Sequence, residues 1–375
     1  MVKRSKETKE ADKLVLNSHV AKENVVHSKV AKTAEVGSGE VKEIRRIGVL
    51  TSGGDAPGMN GVIRAVTRAA AAHGIEVMGV RRGFHGLWRG DIIELKPRDV
   101  SDILQRGGTT LMTARSKTFM TEEGVSKAMS MADVFGLDAL ICVGGDGTGR
   151  GALDLAAAGL PVVLVPATID NDMAGTDETI GFDTAMNTVI SAVDKIRDSA
   201  SSHERCSVVE VMGRNAGFLA FQVGVATGAE VVLIPEIDCD FDQDVVKKLL
   251  SARNRGKQHF IIIVAEGVRL DPDFHAAVKA APAIAIAEEV EAKTGIETNA
   301  TILGYVQRGG NPSLRDRYLS SMMGIEAVET LLAGRANRLI ASLRGQIVDI
   351  DLSEALAMKK EITEEAFKRA GILSL

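Results

Sequence analysis

The sequence predicts an α/β fold of two Rossmann-like α/β domains with central, mainly parallel sheets and a site in the cleft between them. Short apolar runs recur along the chain, and each leads into a glycine-rich turn and then a segment of helical spacing. That repeating order of strand, turn and helix is typical of parallel sheets covered by helices. The 375 residues correspond to two domains or to one large one.

Residues 1–43 stand apart from this pattern. Lys and Glu alternate there with Ser, Val and Ala, and no apolar period persists. We therefore predict a disordered N-terminal extension. The segment has no apolar h-region for a secretory signal, and its acidic residues argue against an organelle transit peptide, so we expect a cytoplasmic protein.

Composition argues against several classes of function. The net charge of −5 and the aromatic content of 3% speak against nucleic-acid binding. No apolar run reaches the ~20 residues of a membrane helix. The three cysteines, Cys142, Cys206 and Cys239, are far apart and form no CxxC pair, which argues against a zinc site or a disulfide framework.

The first strand-like run, Ile47–Leu50, is followed by the glycine-rich segment Thr51–Asn60 and by helical spacing from Gly61. A turn that leads into a helix offers backbone N–H groups and the positive end of the helix dipole to an anion. Gly53 and Gly54 let the backbone approach such a ligand because they lack a Cβ. The segment is neither a Walker A nor a GxGxxG motif. The alternative is that its glycines only form a tight turn.

A second strand, Val77–Val80, precedes the stretch RRGFHGLWRGD, which we interpret as a turn-rich loop. Arg115 and Ser116 belong to a further glycine-and-basic segment. Arg115 is a candidate phosphate contact, and the alternative is an ordinary surface arginine.

The run Ala139–Val143 is apolar throughout, as in a parallel strand buried on both faces, and it follows a predicted helix, Glu122–Phe135. The motif GGDGT comes next, and we predict a helix from about Arg150 to Ala158. Asp146 thus lies at the carboxyl end of a strand, where parallel sheets bind ligands. That position suits a magnesium ion held by few carboxylates and by substrate phosphates.

The next strand, Val162–Val165, ends in PATIDND. In an extended segment Asp170 and Asp172 point to the same side, because side chains alternate along a strand. Together with Asp146 they indicate a base and a magnesium site for phosphoryl transfer. The alternative is that these acids are turn and helix-cap residues, since Asp is favoured in both places.

Six motifs occur in order: GVLTSGGDAPGMN, RGGT with AR, GGDGT, PATIDND, SSHERCSVVEVMGR and GYVQRGGNP. Together they resemble the phosphofructokinase family, in particular its bacterial-type ATP-dependent 6-phosphofructokinases. The resemblance runs from Ile47 to roughly Gly334. GGDGT alone would be a weak signal, because NAD kinases and diacylglycerol kinases resemble it there, but six motifs in this order are specific. It implies that ATP, with Mg²⁺, phosphorylates the 1-hydroxyl of fructose 6-phosphate.

The resemblance also implies residue roles. Asp170 would be the base that takes the sugar hydroxyl proton, Asp172 would orient the site or hold Mg²⁺ through water, and Asp146 would bind Mg²⁺. Gly54 would donate its N–H to the transferring phosphoryl group, Arg214 would balance its charge, and Thr168 would complete the catalytic set. The implied ATP site comprises Gly53, Gly54, Arg115, Ser116, Gly145, Asp146, Gly147 and Thr148. The implied sugar-phosphate site comprises Thr168, Asp170, Arg205, Met212, Gly213, Arg214, Glu266, Asn299, Tyr305 and Arg308.

The phosphoryl donor is implied by two positions. Pyrophosphate-dependent relatives resemble GGDD where this chain has Gly147, and they carry a lysine in place of Ala167. A carboxylate at position 147 would repel the α-phosphate of ATP. Gly147 and the small, uncharged Ala167 therefore favour ATP.

Two sugar-site positions depart from the family. Asn299 stands where an arginine is usual, and Tyr305 stands where bacterial ATP enzymes have a histidine. Since hydrogen bonds to phosphate from charged groups are stronger than those from neutral groups, we predict weaker binding of the 6-phosphate or a different acceptor, such as another sugar, sugar phosphate or nucleoside. The chain between Glu266 and Glu297 also looks longer than the bacterial type.

The resemblance implies self-association into a dimer or tetramer, because Arg205 would reach the site of a neighbouring subunit. An intersubunit effector site is matched by Arg64, Arg68, Arg197 and Glu230, whereas Asp91 replaces a further arginine and would repel an effector phosphate. The expected domains are residues 44–181 plus 307–357, which bind ATP, and residues 182–306 plus 358–375, which bind the sugar phosphate. A non-catalytic subunit that keeps the fold is the remaining alternative.

Overall fold

The computed structural model describes residues 43–269 and 281–374, so most of the predicted N-terminal extension, residues 1–43, lies outside the described residues, as does part of the predicted insertion after Glu266. The strands are β1 (Arg46–Thr51), β2 (Glu76–Val80), β3 (Ile92–Leu95), β4 (Ala139–Gly144), β5 (Val162–Pro166), β6 (Cys206–Val211), β7 (Val231–Leu233), β8 (Phe260–Ala265), β9 (Thr298–Ile302), β10 (Arg338–Leu343) and β11 (Gln346–Asp351). The α-helices are α1 (Met59–Ala72), α2 (Gly83–Arg89), α3 (Glu122–Val134), α4 (Asp146–Ala157), α5 (Phe182–His203), α6 (Phe218–Thr227), α7 (Lys247–Asn254), α8 (Pro282–Thr294), α9 (Leu314–Leu332), α10 (Leu352–Ala357) and α11 (Glu364–Ala370).

In this part of the chain the strands form two sheets. The larger has the order β11-β10-β5-β4-β1-β2-β3, and its edge strands β3 and β11 pair antiparallel while the others pair parallel. The smaller has the order β7-β8-β6-β9 and is parallel throughout. The predicted α/β fold class with mainly parallel sheets is confirmed. Both sheets lie in one compact unit, Glu43–Leu375, and the domain boundaries stay a prediction.

Strand order brings three loops together. β5, β4 and β1 are neighbours in the larger sheet, so their carboxyl ends lie at one edge. The Ser52 N–H donates to the Val143 carbonyl at 2.9 Å, and the Ala167 N–H donates to the Gly144 carbonyl at 3.0 Å. Each of these two bonds joins the start of one loop to the neighbouring strand, so the loops after β1, β4 and β5 begin side by side.

The N-termini of α5 and α9 cap each other. The N-cap of α5 is Gly181, which has φ +102° and no side chain to accept a hydrogen bond. The carboxylate of Asp316 takes that role, accepting the N–H groups of Gly181 and Thr184 at 2.8 Å each. In return, Thr184 Oγ1 accepts the Ser313 N–H at 3.0 Å, and Ser313 Oγ donates to Asp183. Asp316 is 1% exposed, so these bonds are shielded from water and hold the two helix starts together.

One expectation about the second loop is wrong in its bounds. The helix after GGDGT begins at Asp146 rather than near Arg150. Glycine disfavours helix, but Gly149 and Gly151 are placed where only glycine packs, because a Cβ would lie 2.9 Å from the Leu164 side chain and 2.8 Å from that of Phe84. Tertiary packing therefore overrides local propensity, and Asp146 lies in the first turn of the helix, at the positive end of its dipole.

The stretch RRGFHGLWRGD is not a loop, contrary to the prediction. Gly83–Arg89 form the short helix α2, because Phe84 and Leu87 are buried in the core behind β1 and β4. Gly90, with φ +72°, then ends the helix. Along α9, Leu319, Met323 and Val328 are buried, whereas Met322 and Ile325 are exposed in the single chain.

Among the described residues, the helices lack the combination of length and apolar composition that would let one of them span a membrane.

Candidate active site

Asp170 lies in a turn. The sequence analysis expected an extended segment here, with Asp170 and Asp172 on the same side. The turn forms because the Asp170 N–H donates to Thr168 Oγ1 at 3.2 Å and because Asn171 is left-handed, with φ +50°. The two carboxylates are nevertheless close enough that the charge of Asp172 acts on Asp170. Asp170 is 8% exposed, and within the described chain its buried Oδ1 has no hydrogen-bond partner.

Charges from several loops act on Asp170. Burial raises the pKa of this carboxyl group to about 6, and the neighbouring Asp172 adds to the rise. Arg308 lowers the pKa, Glu266 raises it and Arg214 lowers it. A carboxyl group with this pKa is ionised at neutral pH but needs little driving force to take a proton, which suits a general base.

The first glycine loop is covered by an arginine. A Cβ on Gly54 would lie 2.6 Å from Arg308 Nη1, so the missing side chain leaves room for the guanidinium group. The same Nη1 donates to the Asp55 carbonyl at 3.3 Å. Gly53 has φ +84°, and its carbonyl accepts the Thr113 hydroxyl at 2.7 Å. The loop thus offers open backbone and a cation at one place, which fits an anionic group.

The second glycine loop packs tightly against its neighbours. A Cβ on Gly144 would lie 2.3 Å from Thr148 Oγ1 and 2.5 Å from the Ser52 carbonyl. Gly145 instead faces Thr168, with ordinary contact distances of 3.5 Å or more. The buried Thr148 Oγ1 lies between Gly144 and Gly53 and has no hydrogen-bond partner in the described chain.

Asp146 is the residue of this loop that is suited to a cation. Its side chain is 46% exposed and pairs with Arg150 one turn later, at 2.9 and 3.2 Å. Over residues 43–269 and 281–374, no three His, Cys, Asp or Glu side chains gather as a complete metal site. Mg²⁺ needs no such cluster when one or two carboxylates and substrate phosphates hold it, so the exposed Asp146 carboxylate fits this ion.

Asp172, in the loop after β5, is affected by the charge of Asp146, at the end of the loop after β4. Burial raises the pKa of Asp172, its own backbone N–H lowers it, and the charge of Asp146 raises it. Arg214 and Lys360 lower the pKa. The structure therefore brings together all three acids that the sequence singled out.

Arg214 lies in a strained turn after β6. Gly213 has φ +140° and Arg214 has φ +57°, and a Cβ on Gly213 would meet the Ala216 carbonyl at 2.4 Å. The turn is held because the Arg214 N–H donates to Glu266 at 2.7 Å and the Met212 N–H donates to Gln307 at 3.1 Å. Both acceptors come from other strands or turns, so the position of Arg214 depends on the whole smaller sheet.

Two of the sugar-site residues lie at the far end of that sheet. Arg205 precedes β6, whereas Arg214 follows it, so a strand of roughly 20 Å separates them. Cys206 pairs in register with Thr298, which places Asn299 at the same amino end. Arg205 pairs there with Glu297 at 2.8 Å. Neither Arg205 nor Asn299 is placed to reach Asp170 of the same chain.

Three further predicted residues are not joined to this cluster. Tyr305, on the 3₁₀ turn Gly304–Arg308, is 82% exposed. Arg115 is exposed, and Ser116 Oγ accepts the Phe119 N–H at 3.2 Å.

Asp91 does not stand alone as a negative charge. Arg81 pairs with it at 2.5 Å, and Arg82 contacts its other oxygen. The two arginines therefore balance the carboxylate that the sequence analysis expected to repel an effector.

Sequence reasoning missed three residues. Arg150 had a local signal, since it lies four residues after Asp146 on one helix face. Gln307, fully buried, lies inside the motif GYVQRGGNP, where nothing local distinguishes it from its neighbours. Lys360, whose ammonium contacts Asn171, had no local signal because 189 residues separate the two.

Comparison with known proteins accords with this geometry. The Phosphofructokinase family profile matches residues 46–331. The chain belongs to the phosphofructokinase family. An ATP-dependent 6-phosphofructokinase of Halothermothrix orenii is 50% identical over 333 residues, which are 88% of this chain and 100% of the relative. One from Clostridium botulinum is 48% identical over 331 residues, again 88% and 100%.

Solved phosphofructokinases share the fold. One from Saccharomyces cerevisiae has a TM-score of 0.76 and 35% identity over 88% of this chain, which spans 48% of the yeast chain. A pyrophosphate-dependent phosphofructokinase from Marinobacter aquaeolei has a TM-score of 0.75 and 22% identity, covering 88% of this chain and 91% of its own. The resemblance inferred from the six motifs is confirmed.

The environment of Asp170 predicts the acid limb of the pH profile. The ionised form is the one that can accept a proton, so we expect kcat/KM to fall about tenfold per pH unit below about pH 6. Asp172→Asn removes a like charge, which should move the midpoint to lower pH. A midpoint near the ordinary value for Asp, ~3.9, in both proteins would contradict the assignment.

Proposed function

We propose that this chain is an ATP-dependent 6-phosphofructokinase of glycolysis, which transfers the γ-phosphoryl group of ATP to the 1-hydroxyl of fructose 6-phosphate. The observation that carries the proposal is the buried Asp170 carboxylate at the loops after β1, β4 and β5, on which the charges of Asp172, Arg308 and Arg214 act. The relatives named ATP-dependent 6-phosphofructokinase that match over their full length support it. A cytoplasmic location is part of the same proposal, since ATP and sugar phosphates are cytoplasmic metabolites.

Asp170 acts as the base. Its unpartnered Oδ1 accepts the proton of the sugar hydroxyl as the hydroxyl oxygen attacks the phosphoryl group. Thr168 helps to hold this carboxylate, because its hydroxyl accepts the Asp170 N–H. Arg308 and Arg214 keep Asp170 ionised before the transfer.

The same cations serve the transferring group. The negative charge of a phosphoryl group is spread over its oxygens during transfer, so preorganised donors and cations lower the barrier. The Gly54 N–H and the guanidinium groups of Arg214 and Arg308 supply them. Mg²⁺ held at Asp146 would neutralise charge on the donor phosphates.

A complete site requires a second copy of the chain. Arg205 and Asn299 lie at the amino end of the smaller sheet, away from Asp170, and Asn299 is on β9, an edge strand. Further along β9 and in the turn that follows it, Ile302, Tyr305 and Val306 have exposed apolar side chains. We infer that a neighbouring subunit packs here, as a dimer or tetramer, and receives Arg205 at its sugar-phosphate site.

Replacing the base tests the proposed chemistry. Asp170→Asn keeps the side-chain shape but cannot accept the proton, so we expect kcat to fall roughly 10²–10⁴-fold, with KM values for ATP and fructose 6-phosphate changed little. ADP release in a coupled assay measures both. Asp154→Asn, an exposed acid on α4, is the control and should behave as the wild type. A kcat within a factor of about three of the wild type would remove Asp170 from the mechanism.

Gly147 tests the choice of donor. A Cβ at this position has open space around it, so Gly147→Ala should leave the kinetics unchanged. Gly147→Asp adds a charge that repels the α-phosphate, and we expect KM for ATP to rise at least about tenfold. An equal rise in KM for ATP in Gly147→Ala and Gly147→Asp would show that side-chain volume, and not charge, determines ATP binding at this position.

Asn299 tests the acceptor. Asn299→Arg would supply a charged donor to the neighbour's 6-phosphate, so we expect KM for fructose 6-phosphate to fall about fivefold. Asn299→Gln, longer but uncharged, is the matched control. A panel of phosphorylated and unphosphorylated acceptors in the same assay addresses the second candidate, a kinase of another acceptor, which the substitutions at Asn299 and Tyr305 favour. An unchanged KM together with faster turnover of another acceptor would support that candidate.

A further inference from the structure

A lysine from the C-terminal part of the chain contacts the loop after β5 that carries Asp170 and Asp172, called here the acidic loop. Lys360 lies between α10 and α11, and its Nζ donates to Asn171 Oδ1 at 2.9 Å and to the Asp177 carbonyl at 3.0 Å. Its neighbour Lys359 is exposed. The contact is thus specific to one of two adjacent lysines.

The partner, Asn171, is the residue between the two carboxylates. Its left-handed backbone turns the chain between Asp170 and Asp172, a conformation that Asn tolerates better than most residues. Its Oδ1 also accepts the Thr179 N–H at 3.1 Å, and its Nδ2 donates to the Asp177 carbonyl at 3.4 Å. Lys360 therefore closes a small network that determines the shape of this turn.

Lys360 is held from several sides. Its ammonium group lies 5.3 Å from the centre of the Phe218 ring at the start of α6. The following helix, α11, packs Phe367 against Phe221 of α6 with ring centres 5.9 Å apart. The acids that face the ammonium group are Asp172, Asp177 and Glu178. Burial of the lysine strengthens its interaction with these carboxylates and with the Asn171 amide.

We propose that Lys360 is a positioning residue for phosphoryl transfer: by holding the Asn171 side chain it sets the geometry of Asp170 and Asp172 relative to the glycine loops. The proposal rests on the proposed function, in which Asp170 is the base. Lys360 does not contact the reacting groups itself: its hydrogen bond acts through Asn171, and its charge lowers the pKa of the nearby Asp172. A small displacement of Asp170 then lowers the rate of the chemical step more than it weakens substrate binding.

The test uses the full chain with three substitutions of the lysine. Lys360→Met keeps the length but removes both charge and donor, and we expect kcat to fall on the order of 10- to 100-fold while KM values for ATP and fructose 6-phosphate stay within about threefold. Lys360→Arg keeps both charge and donor and should recover most of kcat. Lys360→Gln keeps a donor alone, and it tests the proposal even where the Met variant folds poorly. Lys359→Met is the matched control and should leave kcat unchanged.

A double variant separates positioning through Asn171 from a general structural role. Asn171→Gly keeps the left-handed backbone but removes the amide that Lys360 holds. In that background Lys360→Met should cause only a small further loss of kcat, from the lost charge near Asp172, because the two substitutions break the same hydrogen-bond link. Multiplied losses in the double variant, an unchanged kcat in both Lys360→Met and Lys360→Gln, or a change confined to KM would overturn the proposal. The test compares the kcat values of these variants with each other, so its outcome does not depend on the result for Asp170→Asn.

Discussion

A carboxylate removed from water is the constraint on which this site depends. Asp170 is buried, and one of its oxygens has no partner in the described chain, so burial alone disfavours its charged form. Two arginines offset that effect, and neither is near Asp170 in the sequence. Arg308 follows the last strand of the smaller sheet, and Arg214 follows its first strand. A base that works at neutral pH therefore requires both sheets to be folded and correctly placed.

Long-range bonds meet that requirement. Parallel strands place the glycine loops at one edge of the larger sheet, and backbone bonds such as that from Ala167 to Gly144 align their starts. Asp316 caps α5 from another helix, so the segment that leaves the acidic loop is joined to the segment that follows Arg308. Lys360 adds the C-terminal part of the chain to the same region. Each contact joins segments more than 100 residues apart or in neighbouring strands, and together they limit the movement of the acidic loop.

The smaller sheet has different roles at its two ends. Its carboxyl end carries Arg214 and Glu266, which act on Asp170 of the same chain. Its amino end carries Arg205 and Asn299, separated from that site by the length of a strand. This division gives a physical reason for the proposed assembly. It also means that the uncharged Asn299 would alter the site of a neighbour, and not the site of its own chain.

The fold class, the family and the loops that carry the chemistry can be predicted from the sequence, because they depend on short motifs and on the apolar period of neighbouring residues. The sequence also singled out Asp146, Asp170 and Asp172. Tertiary structure decided the rest. It turned the predicted loop of residues 81–91 into a helix, started α4 at Asp146, and replaced the expected extended acidic segment by a turn around Asn171. The action of Arg214 and Arg308 on Asp170, the cap from Asp316 and the contact of Lys360 also depend on the tertiary structure. Such interactions depend on burial and on which strands become neighbours, and no local pattern of residues records either.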